Sequence, residues 1–250
     1  MPDASCPICR GSGWKVEERN GISAAARCEC TRADVRNQIN EASGIPALYQ
    51  SSSLDNFDAQ GIPSLQSVML IVRSYAREYP VCDKPGLLLI GEPGTGKTHL
   101  AVSALRMLIA RGFGGVFYDY QNLLQRIRSS YDPASGGGDR EAYSTALDAE
   151  ILLLDDLGAH RISDWVEDTV TSLITYRCNN RKPIIATTNL PDIEMAGGER
   201  RSLSAGGTDY KRTLIDQIGM RARSRLFEMC RVIRMPAQVE DYRIRKARIS

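Results

Sequence analysis

Gly91-Glu92-Pro93-Gly94-Thr95-Gly96-Lys97-Thr98 is the segment of this chain with the most specific chemistry. It matches G-x-x-x-x-G-K-[ST], a loop that cradles phosphate with its own backbone. Gly91, Gly94 and Gly96 let successive N–H groups curl inward, and the positive end of a following helix adds to the attraction. Lys97 can reach the β and γ phosphates of a nucleotide, and the Thr98 hydroxyl can bind magnesium. His99 follows directly and is counted among the nucleotide contacts. A glycine-rich turn with no ligand would explain neither Lys97 nor Thr98.

A second group, ILLLDDLG, runs from Ile151 to Gly158. Its four apolar residues read as a buried strand, with two carboxylates at the carboxyl edge, where open α/β sheets bind ligands. Asp155 suits magnesium, directly or through water, and Asp156 suits polarising an attacking water. An isolated Asp-Asp would read as a polar turn; beside a phosphate loop it reads as catalytic. A third group, Thr187-Thr188-Asn189, ends another apolar run. Such residues commonly end strands, so only its place next to the acidic pair argues for Asn189 as a neutral donor to the γ-phosphate or the water.

These groups need a sheet to hold them together. The runs GLLLI (86–90), GVFYDY (115–120), ILLLDD (151–156) and PIIATTN (183–189) read as four strands. Helical patterns separate them, which predicts an α/β fold with a central parallel sheet flanked by helices. A helix is expected over 64–79, where Leu65, Val68, Met69 and Val72 share a face, and another over about 165–179. Residues 31–44 read as a short helix ending at Gly44. The stretches 132–139 and 196–209, rich in Gly and Ser, read as mobile loops.

Four of the seven cysteines precede residue 31. Cys6, Cys9, Cys28 and Cys30 form a C-x-x-C plus C-x-C set able to close a tetrahedral zinc site. An iron centre or redox thiols are the alternatives. So short a segment buries too little apolar surface to fold alone, so bound metal would supply its stability. Cys82, Cys178 and Cys230 read as core or incidental residues.

Composition excludes little: apolar residues are 42%, charged ones 25%, and the net charge is +2. No apolar run approaches the roughly 20 residues that span a bilayer, and MPDASCPIC lacks the marks of a secretory signal, so a cytoplasmic protein without a membrane partner is expected. Charge is uneven, however. Residues 211–250 hold 11 Lys or Arg against 4 Asp or Glu, a balance of +7. That suits an anionic partner, or else a solvated face.

The motif order resembles the AAA+ ATPases, and within them the DnaC/DnaI-type helicase loaders and the related IstB-like transposition helpers. The resemblance is carried by GEPGTGKTHL (91–100), LLLDDLG (152–158), TTNL (187–190) and GMRARSRLFEMC (219–230), and it spans roughly residues 45–243. It implies an AAA+ P-loop ATPase domain over 64–250; ahead of it the cysteines mark a zinc-binding module over 1–31, and residues 32–63 read as a linker with an N-terminal helix. It also implies that Arg225 is an arginine finger given to ATP on a neighbouring subunit, with Arg221 auxiliary. Arg223 could belong to a solvated helix face. The loader group carries a helical insertion after the second strand that lines a pore for single-stranded DNA. Arg126, Arg128 and Tyr131 fall there, although an ordinary amphipathic helix with Leu123, Leu124 and Ile127 inward reads equally well.

The implied protein is an ATP-dependent loader that binds a replicative DNA helicase and single-stranded DNA. It would self-associate through the ATP site and use ATP, Mg2+ and Zn2+. A transposase helper shares every ATP-site motif. A nucleotide kinase would leave TTN and RARSR unexplained, and a non-hydrolysing, ATP-switched scaffold would show no turnover.

Overall fold

The computed structural model describes residues 6–12, 14–19, 22–28, 43–59, 61–131, 137–192, 212–237, 241, 242 and 244. The chain divides into two compact units, Met1–Gly44 and Ile45–Ser250.

In the first unit, β1 (Trp14–Arg19) and β2 (Ile22–Arg27) form an antiparallel hairpin, in register from Trp14↔Arg27 to Arg19↔Ile22. The thiols of Cys6, Cys9 and Cys28 form a buried cluster beside it. An isolated two-stranded hairpin is marginal in water, so this unit relies on something besides its ladder.

The second unit is built on five parallel strands: β3 (Gly86–Ile90), β4 (Gly115–Asp119), β5 (Ile151–Asp155), β6 (Ile184–Thr188) and β7 (Cys230–Arg234). Their order across the sheet is β4-β5-β6-β3-β7. Every residue of β3, β5 and β6 is buried, as expected for central strands covered on both faces. The edge strands β4 and β7 are only partly covered. The covering helices are α1 (Pro63–Glu78), α2 (Lys97–Ala110), α3 (Tyr120–Ser129), α4 (Gly137–Asp148), α5 (Asp164–Asn179) and α6 (Leu214–Met229).

Local chemistry starts these helices. Pro63 opens α1, where its missing N–H costs nothing, and Leu65, Val68, Val72, Tyr75 and Ala76 form its buried face. Asp119 caps α3 by accepting from the Asn122 N–H at 2.8 Å. Thr213 and Asp216 make a reciprocal capping box on α6. That helix is broken at Gly219, whose φ of 77° no β-branched or bulky residue would adopt readily.

The strands expected at 86–90, 115–120, 151–156 and 183–189 are present with ends shifted by a residue or less. The fifth strand, β7, was not expected: its residues follow a run that reads only as an arginine-rich helix. Residues 137–139, expected within a loop, instead open α4. The remainder of that loop (132–136), most of the helix expected over 31–44 and the loop at 196–209 lie outside the described residues.

One charged residue holds the lower part of this unit together. Arg177 of α5 has no exposed surface, and its guanidinium donates to the carbonyls of Ala146, Leu147, Ala149, Glu150 and Pro183. It thereby satisfies carbonyls at the end of α4 and in the approaches to β5 and β6. Burial pushes its pKa down to about 10, which still leaves it charged near neutrality.

Candidate active site

The phosphate loop follows β3 and leads directly into α2. Gly94 and Gly96 carry positive φ values of 74° and 91°, so two left-handed turns curl the backbone as the motif requires. Gly91 has another reason to be glycine: a Cβ there would come within 2.6 Å of the Met235 Cβ. The Lys97 side chain is buried and donates from Nζ to the Glu92 carbonyl at 2.8 Å, and Thr95 Oγ1 donates to the same oxygen. Lys97 is thus folded back across its own loop. Glu92 and Pro93 are exposed at the loop's crest.

β5 brings the acidic pair alongside. Thr98 Oγ1 lies 2.9 and 3.2 Å from the two carboxylate oxygens of Asp155, and Thr187 Oγ1 donates to Asp155 Oδ1 at 2.6 Å. Burial raises the Asp155 pKa; the hydroxyls of Thr187 and Thr98 pull it down, and the nearby Asp156 and Asp119 carboxylates push it up. A buried carboxylate beside a threonine hydroxyl is a donor set that suits a hard cation such as Mg2+.

Asp156 leaves the sheet with φ of 56°, a left-handed conformation that Asp tolerates better than most residues. Its backbone N–H donates to Thr187 Oγ1 at 3.0 Å, and its carboxylate accepts from Asn189 Nδ2 at 2.8 Å. Thr187 therefore bridges both acids, a role that the sequence reading gave to no residue. His99, read as a nucleotide contact, has Nε2 at 2.9 Å from the Ser53 carbonyl and stands edge-on to Phe57. Phe57 in turn covers the loop, since a Cβ on Gly96 would meet its ring at 2.5 Å. At the other end of the chain, the Tyr242 N–H donates to the Gly94 carbonyl at 3.1 Å, and the Asp241 carboxylate lies over Gly94.

The arginines of α6 divide by environment. Arg221 and Arg225 are exposed, and Arg225 pairs with Glu228 at 2.8 Å. Cys230 lies level with Gly86, and Arg234 with Ile90. Arg225, just ahead of Cys230, therefore lies toward the sheet edge opposite the phosphate loop, which follows Ile90. Arg223 is not part of a solvated face. It forms a two-pronged pair with Asp192 at 2.7 and 2.8 Å and lies over the Phe227 ring.

On α3, Leu123, Leu124 and Ile127 are buried and Arg128 is exposed. Arg126 is half-buried, with its guanidinium 5.9 Å from the Tyr118 ring centre. Tyr131 is 69% exposed and stands edge-on to Trp165 of α5.

In the first unit, one ligand atom from each of Cys6, Cys9 and Cys28 lies within 4.8 Å of the others. The Cys6 and Cys28 sulfurs are 3.7 Å apart. That is too far for a disulfide and close to the roughly 3.8 Å edge of a tetrahedron with metal–sulfur bonds of about 2.3 Å. The loop from Cys6 folds back through Arg10 N–H to the Cys6 carbonyl and Ser12 N–H to the Cys9 carbonyl, with Arg10 and Gly11 at positive φ. These residues fit a bound metal. Cys30 lies outside the described residues.

A phosphate loop, an acidic strand end and a polar neighbouring strand, in a sheet of this order, define a P-loop ATPase of the AAA+ class. A family model described as IstB-like ATP binding protein matches residues 27–195, and the chain belongs to that family. It also belongs with the DnaC-type helicase loaders of this group. A solved DnaC helicase loader is 30% identical, with a TM-score of 0.61 over 76% of this chain and 100% of that one. The replicative helicase loader DnaC of Escherichia coli (strain K12) is 22% identical over 75% of this chain and 76% of its own. The phage-like element PBSX protein XkdC of Bacillus subtilis (strain 168) is 26% identical over 74% of this chain and 71% of its own. Among the described residues no helix is long and apolar enough to cross a membrane.

Proposed function

We propose that this ATPase loads a replicative DNA helicase onto single-stranded DNA and hydrolyses ATP between subunits. The observation that carries the inter-subunit part is the position of Arg225. It is exposed and lies toward the sheet edge away from its own phosphate loop, so a neighbour's ATP is the phosphate it can serve.

In this reading the Lys97 ammonium leaves the Glu92 carbonyl to meet the β and γ phosphates. Thr98 and Asp155 hold Mg2+, which neutralises phosphate charge. Asp156 orients the attacking water, and Asn189 holds the Asp156 carboxylate in place. Arg225 of the adjoining subunit meets the charge that builds on the γ-phosphate, a contribution worth about 10³–10⁵ in rate where such arginines act.

Single-stranded DNA would run along Arg126, Arg128 and Tyr131, with Trp165 extending the aromatic surface; stacking is worth roughly 1–3 kcal/mol per base. The N-terminal cysteines would hold one Zn2+, with Cys30 as the fourth ligand, and that module would grip the helicase. Membership of the IstB-like family supports a second reading, an ATPase helper of a DNA transposase. The cysteine module favours the loader.

Retention on circular single-stranded DNA tests the two. A replicative helicase ring should be retained only with the purified protein and ATP, and turnover should respond to the DNA. Retention of a transposase but not a helicase would replace the loader with the helper.

A further inference from the structure

The acidic turn, the polar strand end and the arginine helix are packed as one unit. A Cβ on Gly158 would collide with Leu190 and approach Gln217 and Ile218 of α6, so no side chain separates them. The Leu214 N–H at the start of α6 donates to the Pro191 carbonyl at 3.1 Å. These contacts hold the first half of α6, before Gly219. At Gly219 the helical backbone stops and restarts, and the Glu167 carboxylate occupies the space a side chain would take. The second half, which carries Arg221 and Arg225, is thus not made rigid with the first by continuous helical hydrogen bonding.

Arg223 ties this second half to the polar strand end. Its Nε and Nη2 donate to the two oxygens of Asp192 at 2.7 and 2.8 Å, and the Asp192 side chain is only 1% exposed. Asp192 follows Asn189 by one short turn, Leu190-Pro191. Asn189 itself donates to Asp156. A two-pronged guanidinium–carboxylate pair fixes orientation as well as distance, which a lysine could not do.

We propose that the Arg223–Asp192 pair is a strut that positions Arg225 for the neighbouring subunit, so that Arg223 is a positioning residue for hydrolysis at a site other than its own. A side effect is that a shift of Asn189 against the γ-phosphate in one subunit is transmitted to the arginine it offers to the next. The inference rests on the inter-subunit role of Arg225, and displacing a catalytic group by about 1 Å can cost about a hundredfold in rate.

Mixed assemblies of full-length chains separate the possibilities. Lys97→Ala subunits, which can only donate an arginine, are mixed with Arg225→Ala subunits, which can only accept one, to set the reference recovery of ATP turnover. Adding Arg223→Met to the donor should cut that recovery about tenfold or more. Adding it to the acceptor should leave recovery within about twofold, and ATP binding by either chain should not change. If Arg223→Met prevents folding, Asp192→Asn takes its place, because it keeps the shape and removes the charge. Equal recovery with either donor overturns the strut. Equal loss in the donor and acceptor arms overturns it too, since the pair would then serve general stability. No recovery even in the reference mixture removes the inter-subunit reading itself, and the strut with it.

Discussion

Asn189 donates its side-chain N–H to the Asp156 carboxylate at 2.8 Å, across the gap between the ends of β6 and β5. The acid proposed to orient water is therefore held by a neutral donor that does not compete for its charge. Asp156→Asn should leave ATP bound while turnover falls by about a hundredfold or more. Asn189→Ala should do the same more weakly. Nucleotide binding and single-turnover hydrolysis, measured on the same preparation, check both. Unchanged turnover in Asp156→Asn would move water activation elsewhere.

Lys97→Ala should weaken ATP binding by roughly ten- to a hundredfold, the worth of a hydrogen bond to a charged group. Titration with a fluorescent ATP analogue reads it. The fold should survive, because in the free protein Lys97 bonds the Glu92 carbonyl, an oxygen that Thr95 also serves.

Gly96→Ala should fail for two separable reasons. Its φ of 91° is strained for alanine, by about 1–3 kcal/mol, and the new methyl meets Phe57. Adding Phe57→Ala removes the second cost only, so the double variant should recover part of the lost ATP affinity and no more. Full recovery would mean that backbone strain in the loop is negligible.

One zinc per chain is expected by elemental analysis of protein purified without a histidine tag. Cys28→Ser should release it and loosen the first unit, while the ATPase unit keeps its own melting transition. Iron, or no metal in a reduced preparation, would refute the assignment.

Arg177→Met should be the most damaging single change away from the ATP site. It removes one donor from each of five carbonyls, of which Pro183 keeps the Leu152 N–H, and should cost about 3 kcal/mol or more. A melting temperature lower by roughly 6–12 °C is expected for a unit of this size. A shift of a degree or two would mean that water takes over those carbonyls.

The sequence was most legible where function and local pattern coincide. Lys97, Thr98, Asp155 and Asp156 sit in short motifs at the ends of all-apolar strands, and the structure puts them at one sheet edge. What stayed hidden was non-local or weakly patterned. CRVIR is an edge strand whose arginines break the apolar run, so β7 carries little strand signal in the sequence. The GGD that opens α4 reads as a turn. In the first unit, WKVEER and ISAAAR carry little strand signal, although Asn20-Gly21 between them is a favoured pair in two-residue hairpin turns. The Arg223–Asp192 pair joins residues far apart in the chain, and Thr187 looked like any polar strand end until its bonds to both acids were seen.

The central place of β3 also has a bearing on how the protein is made. Its ladder partners are Ile185–Thr188 on one side and Cys230–Arg234 on the other, both synthesised long after it. At a translation speed of about 5–20 residues per second, Leu87 to Ile90 wait on the order of ten seconds for their last neighbour. Through that interval a wholly apolar strand has an unfilled edge, the kind of surface that invites wrong pairing. The strand that leads into the phosphate loop is thus paired on both sides only once residue 234 has been made, long after the loop itself. Any product truncated before residue 230 should be a target for chaperones and proteases, not a weak ATPase.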